Sequence, residues 1–192
     1  MNTTAQSILQ IARHIFETEG AGAVSMRRVA EQAGISAMAI YRHFENREAL
    51  LQEIADAGFA ELAGFWTPKR TRQSPLKQIE AMLGGYMDYA LAHPRIFDYM
   101  FAEPRPSARK FPEDFRKGRS PTGNLLAQAV TAGIDAGVLA RDNVWDVSMA
   151  LWAHAHGLIC LYRGGRFSYD EAAFRKFYRR SLQRLIHGLR AN

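Results

Sequence analysis

Ser25-Met-Arg-Arg-Val-Ala-Glu-Gln-Ala-Gly-Ile-Ser-Ala-Met-Ala-Ile-Tyr-Arg-His-Phe44 is the stretch on which the fold turns. It predicts two short helices joined by a tight turn. Ser25 is placed to cap a helix from about Met26 to Ala33, and Ser36 to cap a second that runs to about Phe44. Gly34 separates them, because glycine alone enters left-handed backbone space at little cost. Ile40 and Phe44 lie four apart and form the core stripe of the second helix. Val29, Ala30 and Ala33 give the first helix a small apolar face for close packing. At about 100° per residue, Met38, Tyr41 and Arg42 point away from Ile40, free to meet a duplex. Ala37 sits at the edge of that face, where its methyl can touch a thymine methyl.

Working outward, helical periodicity continues almost everywhere and strand-like alternation is scarce. Upstream, Ile8, Ile11, Ala12, Ile15 and Phe16 mark one helix face, stopped by Gly20 and Gly22. Downstream, Asn46 caps a longer helix from Arg47 to about Phe65. Thr67 to Gln73 reads as a polar connection, and Ser74-Pro75 opens a helix that ends near His93-Pro94. A short helix follows from Arg95 to Glu103. The stretch 104–121, with four prolines and six Lys/Arg, reads as a long loop. Helices over Thr122–Ala136 and Val144–Arg163 come next. The last helix opens on a capping box, Ser168-x-x-Glu171. The expectation is an all-α protein of about nine helices, divided into 1–64 and 65–192.

Composition narrows the function classes. The single cysteine, Cys160, cannot form an internal disulfide; in its apolar run it reads as a small buried hydrophobe of a reducing, cytoplasmic compartment. No signal-peptide pattern and no charge-free apolar run of membrane-spanning length are expected. The formal net charge of +6 tempts one to infer a nucleic-acid partner. Its distribution argues otherwise: residues 1–64 hold 5 Arg/Lys against 8 Asp/Glu, and residues 65–192 hold 20 against 11. The segment proposed to read DNA is itself acidic, so a few placed side chains have to carry the contact.

Those side chains fall in a pattern that closely resembles the DNA-binding region of the tetracycline-repressor (TetR) family. The resemblance covers about residues 5–58. It rests on Ile15-Phe16, Gly20, Arg27-Arg28-Val29-Ala30, Ala33-Gly34-Ile35-Ser36, Ile40-Tyr41-Arg42-His43-Phe44 and Asn46-Arg47-Glu48-Ala49-Leu50-Leu51. It implies a dimeric regulator of transcription that binds a double-stranded operator. Arg27 and Arg28 become candidates for phosphate or base contact, with Ser25 and Ser36 at the two helix starts. Tyr41 and His43 occupy positions that hold phosphates in the family. Arg47 stands where lysine is common, so it is expected to clasp a phosphate together with the helix N-terminus. Ala37 and Met38 would face bases, and with so few polar groups there, duplex shape is expected to carry much of the specificity.

Beyond residue 65 the resemblance weakens. Trp152-x-x-x-His156-Gly157 resembles a Trp-His-Gly signature of one TetR C-terminal subgroup, with Gly157 expected to permit close helix approach. Packing at a helix pair is the plainer reading of it; a ligand role is the other. Phe59, Trp66, Tyr86, Tyr89, Phe97, Met100, Trp152 and His156 are candidates to line an apolar effector cavity, or else are core. Gly84-Gly85 marks a kink, room for a ligand, or close packing. His154 and His156 lie two apart and face different sides, so no metal site is expected. The helix 144–163 is apolar on more than one face, which calls for a partner subunit. Val147, Leu151, Ala155, Leu158 and Tyr162, with Phe174, Tyr178 and Leu182 of the last helix, are expected to form a four-helix dimer interface. No cofactor is expected. Two other classes are weighed and not expected: a small helical enzyme, for which no nucleophile–base pair, metal-ligand spacing or phosphate-cradling glycine loop is found, and a helical module that binds protein.

Overall fold

The computed structural model describes residues 3–66, 73–101 and 108–191. Ten α-helices and no strands are present among them: α1 Thr3–Glu19, α2 Met26–Gln32, α3 Ala37–Ile40, α4 Arg47–Trp66, α5 Pro75–Ala92, α6 Pro94–Phe101, α7 Glu113–Arg116, α8 Pro121–Asp135, α9 Val144–Arg163 and α10 Glu171–Gly188. A 3-10 turn, Ala21–Ala23, joins α1 to α2. The all-helical class is borne out. The tenth helix is α7, inside the stretch read as a loop. Asp114 accepts from the backbone N–H of Lys110 at 2.7 Å, Arg109 donates to the Arg119 carbonyl, and Phe111 and Phe115 pack edge to face. A helix of four residues is too short to leave a periodic signal. The 67–73 connection, the start of the 104–121 loop and the end of the Arg95–Glu103 helix fall largely outside the described residues.

Local chemistry explains where the helices start. Ser25, Ser36, Asn46, Ser120 and Asn143 each accept a backbone N–H of the first turn that follows. At α10 the expected capping box is not used. Asp170, not Ser168, caps the helix, accepting from Ala173 N–H at 2.7 Å. A carboxylate there also meets the positive end of the helix dipole, which a hydroxyl two residues upstream cannot do.

The described chain forms two compact units: 1–61 with 91–105, and 62–90 with 106–192. In the first, Ile8, Ala12, Ile15 and Phe16 of α1 are buried, and α6 packs on α1 with Tyr99 edge-on to Phe16 at 5.3 Å between centroids. Arg13 joins α1 to α4 through both guanidinium arms on the Glu61 carboxylate, and also holds Glu17. Glu17 in turn accepts from His93 and, through its carbonyl, from Arg95. In the second unit α9 packs against both α8 and α10. Tyr178 of α10 is fully buried and donates to the Leu83 carbonyl of α5 at 2.8 Å; Arg175 pairs with Asp88 of α5.

Candidate nucleic-acid interface

Helices α2 and α3 form the helix-turn-helix pair. Val29 and Ile40 are completely buried between them and their neighbours, as the apolar pattern requires. Gly34 turns the chain at φ +65°, and Ile35 N–H closes on the Ala30 carbonyl at 3.0 Å. α3 proper stops at Ile40, four residues short of the expected Phe44. The chain then continues through a turn in which His43 N–H bonds the Ile40 carbonyl in the tighter i to i+3 pattern. This loosened end presents Tyr41 outward at 51% exposure, while Phe44 is buried beneath it. Met38 is 72% exposed, Ala37 and Arg42 are exposed, and His43 is half-buried. One face thus carries a methyl, a thioether, a phenol and a cation with no apolar core to serve. That combination can make apolar base contacts flanked by phosphate contacts.

The four candidate arginines divide into two kinds. Arg27 and Arg42 are exposed and make no pair among the described residues, so their donors are available to phosphate. Arg28 is occupied: it forks onto the Glu19 carboxylate at 2.9 and 2.5 Å and reaches toward the Ala23 carbonyl. These bonds hold the Glu19 carboxyl below its ordinary range. Arg47 is engaged within the chain as well. Its Nε donates to the Val24 carbonyl at 2.7 Å and its Nη2 to the Ala21 carbonyl at 2.5 Å. The guanidinium is turned back onto the 3-10 turn that joins α1 to α2. Ser25 and Ser36 spend their oxygens as caps, which leaves each hydroxyl hydrogen free to donate. Glu19 had no signal in the sequence. It meets Arg28 across a glycine-containing turn, at a spacing no helix rule covers.

The candidate effector residues also divide. Phe59, Phe97 and Met100 belong to the first unit, where Phe59 and Phe97 both pack on Phe101. Trp66, Tyr86, Tyr89, Trp152 and His156 belong to the second. Four of these five meet in a polar-aromatic cluster. Trp152 Nε1 donates to the Tyr86 phenol at 3.0 Å, and that phenol lies 2.8 Å from His156 Nδ1. His156 Nε2 lies 3.3 Å from Cys160 Sγ. Trp66 packs on Tyr86, and its buried indole N–H has no acceptor among the described residues. Burial pushes the Tyr86 phenol well above its ordinary pKa, so it stays neutral. Cys160 is exposed, contrary to its reading as a buried hydrophobe; it ends a row 152, 156, 160 whose four-residue spacing makes one helix face. Tyr89 packs instead on Phe65.

The expected dimer residues divide as well. Val147, Leu151, Ala155, Phe174, Tyr178 and Leu182 are buried within the single chain, where α9 and α10 pack on each other. Leu158 is half-buried, and Tyr162 stacks on Phe174 at 3.9 Å. Six of the eight thus belong to the core of the chain itself. At Gly157 no neighbour lies within 4 Å of where a Cβ would stand, so it makes no close helix approach inside the chain. Of the Gly84-Gly85 pair, only Gly85 is a close approach, with Phe65 Cβ 3.4 Å from where its own Cβ would stand.

An all-helical chain with a capped helix-turn-helix, whose second helix and following turn hold Met38, Tyr41 and Arg42 to solvent, defines the helix-turn-helix class. Comparison with known proteins makes the class specific. Residues 8–54 match the model of bacterial regulatory proteins of the tetR family, and residues 79–186, more than half the chain, match the tetracyclin repressor-like C-terminal domain. The chain belongs to the TetR family of transcription regulators. The transposon Tn10 TetC protein of Escherichia coli is 27% identical over 89 residues, covering 46% of this chain and 45% of that protein, so the match spans less than half the relative's length. A solved protein of unknown function from Rhodococcus sp. RHA1 shares the fold at a TM-score of 0.83, with 23% identity over 98% of this chain and 96% of that one. The TetR family transcriptional regulator PfmR from Thermus thermophilus shares it at 0.65, with 19% identity over 94% and 97% of the two chains.

Proposed function

We propose that this protein is a homodimeric, sequence-specific DNA-binding repressor that a small-molecule effector releases from its operator. The observation that carries the DNA reading is the outward face of α3 and the turn after it. There Met38 and Tyr41, two large side chains, stand exposed beside Arg42, which makes no pair among the described residues, while Ile40 anchors the opposite side in the core. A lone folded chain gains nothing from that exposure, and a duplex groove covers it. Selection of duplexes from a random-sequence pool is the test. Enrichment of an inverted repeat, with half-sites about one helical turn or a multiple of it apart, supports the reading; enrichment of nothing above background defeats it.

The dimer reading keeps the two helices that the sequence suggested, α9 and α10, and rests on their exposed side, where Leu158 lies. His154 of α9 and Ser181 of α10 are hydrogen-bonded at 3.0 Å, which joins the outer sides of the two helices. Around that link lie Gly157 with open space over it, Leu158, and Leu161 at 48% exposure. An apolar strip of this kind beside a small residue suits a symmetry-related copy. The effector reading rests on the Tyr86–Trp152–His156 cluster and on the buried Trp66 N–H, which has no acceptor among the described residues. A buried donor without a partner costs about 1–3 kcal/mol, which an effector presenting an oxygen acceptor would recover. Binding would then favour one arrangement of the dimer over the other and shift the half-site spacing.

A further inference from the structure

We infer that Arg47 is a positioning residue for the DNA reader: it holds the turn between α1 and α2 on the first residue of α4, and it is not a phosphate ligand. The inference rests on the DNA-binding reading above. Its two donors reach carbonyls 26 and 23 residues earlier, Ala21 and Val24, one at each end of the 3-10 turn. Val24 is buried and directly precedes Ser25, whose side chain caps α2. Fixing the Val24 carbonyl therefore fixes where α2 begins and, through the packing of α2 on α3, where the reading face points.

The chemistry requires arginine. Two N–H groups of one planar guanidinium set both distance and orientation to the two carbonyls, whereas an ammonium is a point charge on a flexible stem. The remaining arm, Nη1, lies 3.7 Å from the Glu48 carboxylate, so a phosphate approaching it meets a negative charge. Arg28 braces the same turn from the other side, through Glu19 and toward the Ala23 carbonyl. Of the four candidate arginines, Arg27 and Arg42 are left for the duplex.

Arg47→Lys and Arg47→Met in the full chain test this, with the duplex that the wild-type protein enriches from a random pool. Both variants are expected to lose about tenfold or more in affinity, with the slope of log K against log salt unchanged. In the free protein, amide hydrogen exchange over 21–28 is expected to speed up in both. The inference fails if Arg47→Lys binds like wild type while Arg47→Met lowers the salt slope by about one, which is the mark of a lost phosphate contact. It also fails if exchange over 21–28 is unchanged in Arg47→Lys. Should Arg47→Met not fold, the lysine variant alone decides. Should the wild type enrich no duplex, the DNA reading is what has failed, and the exchange measurement still judges the staple.

Discussion

The indole N–H of Trp152 donates to the phenol oxygen of Tyr86 at 3.0 Å, tying α9 to α5 at the centre of the second unit. The phenol can pass its own hydrogen to His156 Nδ1, 2.8 Å away. Tyr86 is completely buried, and removing its hydroxyl takes one hydrogen-bond partner from each of two half-buried polar groups. Tyr86→Phe is therefore expected to destabilise the protein by about 1–3 kcal/mol, read as a lower urea midpoint at unchanged m-value. Stability equal to wild type would mean that the cluster is no more than packing.

Arg27 and Arg28 are neighbours in sequence with opposite fates, and this separates their variants. Arg27→Ala should weaken binding to every duplex alike and lower the salt slope by about one, with no change in melting temperature. Arg28→Ala should leave the slope unchanged and act through the Glu19 clamp, as faster exchange at the α1–α2 turn. Equal salt slopes for the two variants would contradict the division.

Two glycines make a matched pair for stability. At Gly133 an added Cβ would stand 2.7 Å from Leu139 Cδ1, so Leu139 must move. Gly133→Ala is expected to cost about 1–3 kcal/mol. Gly157 has open space, so within one chain Gly157→Ala gains helix propensity of about 0.5–1 kcal/mol. Gly157→Arg is expected to convert a dimer to monomer by analytical ultracentrifugation, because it fills the strip proposed to meet the partner. A Gly157→Arg variant that still sediments as a dimer would move the interface elsewhere.

High pH should unfold the protein through two tyrosines. Burial raises both the Tyr86 and Tyr178 phenols above the ordinary value of 10.0. Above pH 10 the unfolded chain releases these protons while the folded chain keeps them, so the unfolded state binds fewer protons and stability falls as pH rises. The phenolate absorbance of these two buried rings should appear only together with loss of helix. Tyr86→Phe should soften that dependence, and unfolding without simultaneous phenolate formation would contradict it.

Glycine, caps and apolar spacing made most of the fold legible. Ser25, Gly34, Ser36 and Asn46 act on backbone groups within a few residues of themselves, so their roles can be read along the chain. The same holds for Ile40 inward and Met38 and Tyr41 outward, since helical periodicity alone sets those directions. The four-residue helix α7 escaped because so short an element leaves no period, and the α10 cap because several polar residues compete within a few positions.

The helix-turn-helix that opened the sequence reading, its turn at Gly34 and its outward face were determined by local sequence, because each depends on spacing alone. The assignment of the arginines was decided by tertiary structure. Arg27, Arg28, Arg42 and Arg47 look alike on paper, yet only the folded backbone brings Glu19 to Arg28 and the Ala21 and Val24 carbonyls to Arg47. The apolar stripe of α9 was visible in the sequence, but which surface covers it was not. Periodicity shows that a face must be buried; whether its own α10 or a second subunit buries it depends on how the helices come together in space.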